Sequence, residues 1–167
     1  MRKATVPIQK LYDRFVNSMS NLQSPLLLVV RLYWGWQISQ NGWAKLHNIS
    51  HVTEFFASLG LPAPGPTAIF VSSTELVVGI LLAVGLLSRI AAFTLTFDMI
   101  VAYITADRVA LLSFFSDPGK FYGADPYTFL FAALLIVIFG PGRLSVDTLV
   151  EHFVRKPKVS EVQASLI

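Results

Sequence analysis

Three ionisable residues stand inside runs that are otherwise apolar: Arg31 in "PLLLVVRLYWGW", Glu75 in "VSSTELVVGI" and Asp98 in "TLTFDMIVAY". A guanidinium donates hydrogen bonds to an anion or a carbonyl oxygen. A carboxyl group accepts them, or carries and releases a proton. Placed together in an apolar setting, such groups suit a polar ligand headgroup or a proton path. Left unpaired they are costly, at about 2.5–3.5 kcal/mol each near a membrane-helix centre. The three would total about 8–10 kcal/mol, comparable to the whole stability of a domain. They are therefore expected to face an interior and to find partners there.

Other candidate chemistry is sparser. His47 and His51 are spaced i, i+4, with Glu54 three residues on. On one helix they would share a face, where zinc or copper could bind. The order is not HExxH and a fourth ligand would have to come from elsewhere, so interfacial histidines at a helix end are the simpler reading. No apolar run contains a histidine, which excludes a bis-histidine haem inside the bundle. The absence of cysteine excludes disulfides, thiolate nucleophiles, CxxC redox chemistry and thiolate-held metals. There is no Gly-rich phosphate loop and no nucleophile elbow, and the serines near Glu75 have no histidine to complete a triad. Trp34, Trp36, Trp43, Tyr103, Tyr122 and Tyr127 gather near the ends of the apolar runs, as membrane-belt aromatics do. Trp34 and Trp36 lie deeper and could wall a cavity.

The elements that must position these residues follow from composition. Of 167 residues, 54% are hydrophobic and 14% charged, against about 25% charged in soluble domains. The deficit is concentrated in four runs, each near the length that crosses a bilayer. These are 25–45, 66–87, a third beginning after Arg89 and ending about 106, and a shorter one at 126–140. "GLPAPGP" at 60–66 breaks helix before the second run, and "GPG" at 140–142 stops the fourth. Only Leu87 to Arg89 separate the second and third, which predicts a tight helical hairpin. Residues 5–22 read as an interfacial helix, with Ile8, Leu11, Tyr12, Phe15, Met19 and Leu22 opposite Lys10, Asp13 and Arg14. No h-region precedes a cleavage site in the first 24 residues, so the run from Pro25 is expected both to target and to stay.

The formal charge is +3, with the excess at the two ends. Arg2, Lys3, Lys10 and Arg14 precede the first run, and Arg143, Arg155, Lys156 and Lys158 follow the last. The 46–65 loop has no Lys or Arg. Basic ends beside a membrane set topology rather than bind nucleic acid. Both termini are then expected in the cytoplasm of a bacterial cell, with an even number of spans across the inner membrane. The expected organisation is an all-α integral membrane four-helix bundle: a cytoplasmic interfacial segment at 1–24, a four-span domain at 25–142 and a basic cytoplasmic tail at 143–167. The bilayer itself is the first partner.

Helical phase gathers the polar positions. At 100° per residue, Arg31, Trp34, Gly35, Ile38, Asn41, Gly42 and Lys45 share one face of the first span. Ser72, Glu75, Gly79 and Ala83 line up on the second, and Ala91, Thr94, Asp98, Ala102 and Thr105 on the third. At 1.5 Å per residue from the cytoplasmic side, Arg31 lies about 9 Å deep, Asp98 about 13 Å, and Glu75 about 20 Å, level with Gln37. Arg31 is thus near the level of Asp98, and its long side chain could reach toward Glu75. One cation cannot answer two carboxylates, which leaves one acid to be carried protonated. The candidate ligand-binding set is Arg31, Trp34, Gln37, Asn41, Lys45, Glu75 and Asp98, with Arg31, Glu75 and Asp98 as the catalytic candidates.

Four stretches, in order, resemble the DoxX family of small bacterial membrane proteins. They are "RLYWGWQISQNGWAKL" at 31–46, "ELVVGILLAVGLLSRIAA" at 75–92, "DMIVAYITA" at 98–106 and "GPGRLSVD" at 140–147. The resemblance covers roughly residues 25–150; the charged 107–125 segment departs from it. By position, Arg31, Gly42, Lys45, Glu75, Gly79, Arg89 and Asp147 match the family's motifs. The resemblance implies a four-helix membrane bundle linked to quinone-dependent oxidoreduction, to oxidative-stress complexes with soluble oxidoreductases, or to metal-stress systems. Three functions stay open on the sequence. One is a membrane partner of a redox system, such as a quinone-linked oxidoreductase subunit, whose buried polar site takes a quinone headgroup or a proton. A second is a non-enzymatic scaffold, in which Arg31, Glu75 and Asp98 only fix the packing. A third is a small-molecule transporter, which four spans would build only as a homo-oligomer.

Overall fold

The computed structural model describes residues 7–154, and every regular element among them is a helix. Arg2, Lys3, Arg155, Lys156 and Lys158 lie outside the described residues, as does the start of the expected 5–22 helix. Helix α1 runs Pro7–His47, α2 Ile49–Ser58, α3 Pro64–Val84, α4 Ser88–Thr105, α5 Arg108–Leu112, α6 Pro118–Gly123, α7 Pro126–Phe139 and α8 Val146–Val154. The apolar runs at 66–87, 90–106 and 126–140 thus become α3, α4 and α7 with shifts of at most three residues at their ends. By length and composition, α3 and α4 can each cross a membrane; α7 is apolar but shorter.

One boundary differs from the sequence expectation. Among the described residues no break separates 7–22 from the first apolar run, and α1 continues through Ser24 and Pro25 for 41 residues. A proline inside a helix removes one N–H and crowds the preceding turn, but flanking turns with good periodicity carry the helix past it. The stretch before Pro25 meets the rest of the fold only near its end, where Ser24 Oγ accepts from the Arg143 N–H, and its apolar side chains point outward. Leu11, Tyr12, Phe15, Met19 and Leu22 are all exposed.

The long helices pack in a ring: α1 on α3, α3 on α4, α4 on α7, and α7 back on α1. Glycines set how closely α1 and α3 run. A Cβ on Gly35 would come within 2.7 Å of the Ala83 backbone nitrogen. A Cβ on Gly42 would meet the backbone of Ser72 and Leu76, and one on Gly79 the backbone of Ser39. The two helices are therefore antiparallel, with residue 35 beside 83 and residue 42 beside 72–76. Alanine does the same service between α4 and α7, where Ala91, Ala92, Ala132 and Ala133 are buried with Leu95 and Ile136. Close packing of small residues is what holds helices together where lipid offers no hydrophobic drive.

The outer surface is apolar. Phe70 is 71% exposed, Phe93 66%, Phe97 65% and Ile138 65%. So large an apolar girdle over a core of small residues is the reverse of a soluble domain's arrangement and fits a lipid environment.

The α3–α4 hairpin is tight, as expected. Gly85 ends α3 at φ +79, and both Gly85 and Leu86 donate backbone N–H groups to Leu81 O. That is a Schellman-type stop. The N-terminus of α4 is capped from a distance. Asp147, at the start of α8, accepts from the Leu87 N–H at 2.7 Å and the Ser88 N–H at 2.8 Å, and its own N–H donates to Gly85 O at 2.9 Å. The first part of the expected tail is thereby a helix docked on the hairpin.

Candidate functional site

Glu75 comes from the small-residue face of α3, one turn from Ser72 and Gly79. It is almost fully buried and forms an ion pair with Lys45 Nζ, near the end of α1. The pairing follows from the antiparallel register. Gly42 lies against Ser72 and Leu76, which puts Glu75 level with it, and Lys45, one turn further along α1, reaches back to the carboxylate with its long side chain. Lys45 keeps 37% of its side chain exposed, so its long stem brings a charge inward from a partly open position. The second carboxylate oxygen of Glu75 is buried and has no hydrogen-bond partner. Asp98, on α4, lies within electrostatic reach of both Glu75 and Lys45, and its Oδ2 is likewise buried without a partner.

These three side chains line a cavity of about 460 Å³ between α1, α2, α3, α4 and the start of α7. Asn41 and Ile38 add to the wall from α1, and Met99 and Phe129 from α4 and α7. Helix α2 closes one side with Phe55 and Phe56, and Leu59 follows just past its end. Thr67, Thr105, Asp107 and Asp125 form the polar edge. Asp107 precedes α5 outside the apolar helices, and burial, followed by the charge of Asp125, moves its carboxyl pKa upward. The arrangement is an apolar chamber with one cation and two carboxyl groups at one wall. Such a chamber can hold the polar end of an amphipathic molecule, donate a hydrogen bond from Lys45, and give or take a proton at a carboxyl oxygen.

The expected set of residues divides. Asn41, Lys45, Glu75 and Asp98 are brought together. Arg31 is not with them. Its side chain is fully buried at the other end of the α1–α3 contact, where Nη2 donates to the Leu144 carbonyl and Asp147 lies within electrostatic reach. A Cβ on Gly85 would collide with its guanidinium. Arg31 stands opposite residues near 86 in the antiparallel register, ten or more residues along α3 from Glu75, too far for its side chain to bridge. Trp34 packs on the core and against Tyr33 at 4.9 Å, and Gln37 donates to the Tyr33 hydroxyl at 3.4 Å; neither lines the cavity. Helix α2 is the contribution the sequence reading missed. The periodic Val52, Phe55, Phe56 and Leu59 between Asn48 and Gly60 carried that signal.

His47 ends α1, and its Nδ1 donates to the Trp43 carbonyl at 2.9 Å. The turn at Asn48 separates it from His51 and Glu54 on α2, so the i, i+4 pair does not share one helix. All three are exposed. Among the described residues no group of three or more His, Asp or Glu side chains could hold a metal ion. A second, larger groove of about 820 Å³ lies at the opposite end of the molecule and includes none of Lys45, Glu75 and Asp98.

Comparison with protein families matches the DoxX model over residues 26–108. Those residues contain α1 from just after Pro25 through α4, and so include Lys45, Glu75 and Asp98. Among curated proteins, an uncharacterized membrane protein of Mycobacterium tuberculosis is 31% identical over 103 residues, covering 55% of this chain and 60% of the relative. The chain thus spans less than two thirds of that relative's length. No solved structure matches.

Proposed function

Because residues 26–108 place this chain in the DoxX family of membrane proteins, we propose that its cavity beside Glu75 receives a quinone headgroup and exchanges a proton with it, in the service of a membrane redox or stress system. The observation that carries this reading is the orphaned chemistry at the chamber wall. Two buried carboxyl oxygens, Glu75 Oε2 and Asp98 Oδ2, have no partner, and they adjoin a cavity large enough for one ring. Buried polar groups without partners are rare and point to a ligand, water or function. Lys45 would donate to a carbonyl oxygen of the ring, and the carboxyl groups would hand a proton to that oxygen when a partner oxidoreductase reduces the quinone with two electrons, or take one back when the quinol is oxidised. Phe55, Phe56 and Phe129 would flank its faces.

The organisation that goes with this reading has four spans: α1 from Pro25, α3, α4 and α7. The termini lie in the cytoplasm and the Lys45 end of the cavity faces the opposite side. A soluble oxidoreductase is the natural partner on the cytoplasmic face. The purified protein in lipid nanodiscs should bind a short-chain quinone saturably. Glu75→Gln should weaken that binding by tenfold or more without loss of helicity. Equal binding by both proteins, or none by the wild type, would refute the reading.

A scaffold role has its own observation in the direct Lys45–Glu75 ion pair, which joins α1 to α3 without any ligand. In that case Glu75→Gln would lower the melting temperature in detergent and leave no ligand effect to measure.

A further inference from the structure

The 820 Å³ groove lies at the end of the helix assembly remote from the cavity. Its walls come from α1 just before Pro25, the α3–α4 hairpin, the end of α7 and the start of α8. Two arginines enter it from separate elements: Arg89 from the first turn of α4 and Arg143 from the loop after α7. Arg89 is positioned by Gly140, where a Cβ would come within 3.3 Å of its guanidinium. The Arg143 backbone N–H donates to Ser24 Oγ at 3.1 Å, which ties that loop to α1.

Two acids also line the groove, Asp147 and Glu151. Asp147 is committed elsewhere, since both its carboxylate oxygens accept from the first N–H groups of α4 and Arg31 answers its charge from inside the fold. The rest of the wall divides by polarity. The α1 side offers Ser20 and Asn21, and the lipid side offers Ile90 and Phe139, both exposed on the apolar helices.

We propose that this groove is a site for an anionic phospholipid, with the phosphodiester of a headgroup that carries no cation of its own between Arg89 and Arg143 and the first acyl carbons over Ile90 and Phe139. Guanidinium groups match phosphate oxygens in pairs. Basic pockets between membrane helices are where acidic headgroups are held. The apolar lip argues for a lipid over free phosphate, because a small hydrophilic ion would gain nothing from Ile90 and Phe139. The groove is at the level where the apolar helices end, which is the depth of headgroups. Nothing here depends on the occupant of the Glu75 cavity.

The test is native mass spectrometry of the full chain released from vesicles of equal parts phosphatidylglycerol and phosphatidylcholine. Wild-type protein should retain phosphatidylglycerol at least fivefold over phosphatidylcholine. Arg89→Gln with Arg143→Gln should bring that ratio close to one, whereas Arg108→Gln, on α5, should leave it unchanged. The lysine pair Arg89→Lys with Arg143→Lys should restore part of the preference. Excess inorganic phosphate should not displace the lipid, and displacement would assign the site to the free ion and overturn the proposal. A wild-type ratio near one would overturn it too, whether or not the double variant folds.

Discussion

At the scale of single residues, the chemistry rests on Lys45 and Glu75. A buried carboxylate robbed of its cation is far costlier than the intact pair is beneficial. Lys45→Met should therefore destabilise the protein by about 3 kcal/mol, the low end for a broken buried pair, because Lys45 is partly exposed. Adding Glu75→Leu should recover most of that loss. Thermal melts of the two variants in one detergent would decide it, and a double variant no more stable than the single would mean the pair is not the cause. Asp107 gives a pH signature. Burial and Asp125 raise its carboxyl pKa in the fold, so folding disfavours its ionised form. That group's contribution is most favourable at low pH and is lost as pH rises through the folded value. Asp107→Asn should thus melt higher than wild type at neutral pH and match it in acid. A gap of constant size at all pH values would count against this account.

At the scale of elements, the α1–α3 contact is the one that aligns the site. Gly42 touches the backbone of α3, and backbone cannot step aside as a side chain can. Gly42→Val should push the helices apart, misalign Lys45 with Glu75, and cost about 1–3 kcal/mol by overpacking. Gly123→Ala, where nothing lies within 4 Å, is the matched control and should melt like wild type. This contact was largely legible in the sequence. The stripe Arg31, Gly35, Ile38, Gly42 is buried on α1, and Ser72, Glu75, Gly79 on α3, because a period of 3.6 residues maps small and polar positions to one face whatever they meet. The pairing across the contact was not legible. Depth alone put Arg31 within reach of Asp98 and Glu75. The axial offset between α1 and α3 instead gave Glu75 to Lys45, and gave Arg31 to the loop before α8. The cap that Asp147 lends to α4 was equally hidden, since 60 residues separate Asp147 from Leu87 and no local pattern spans that distance.

At the scale of the whole molecule, topology is open to a clean experiment, because the chain has no cysteine of its own. In intact cells, a membrane-impermeant maleimide should label Ser58→Cys, at the end of α2, and should reach Ser18→Cys, on α1, only after the membrane is opened. The reverse pattern would invert the proposed orientation and with it the side from which the cavity is entered.

The amino-acid sequence by itself determined that this is a helical membrane protein with polar seams turned inward, because hydropathy, glycine spacing and helix stops are local properties of the chain. It also determined that Glu75 had to find a partner, because an uncompensated charge in an apolar run costs about 2.5–3.5 kcal/mol, a large share of a fold's stability. Only the tertiary structure decided which partner. The choice between Arg31 and Lys45 depended on how far one helix slides along another, and that offset is set by glycines fitting against a distant backbone. The same contacts left a chamber beside Glu75 and a groove beneath Arg89, two spaces that belong to no single segment of the chain.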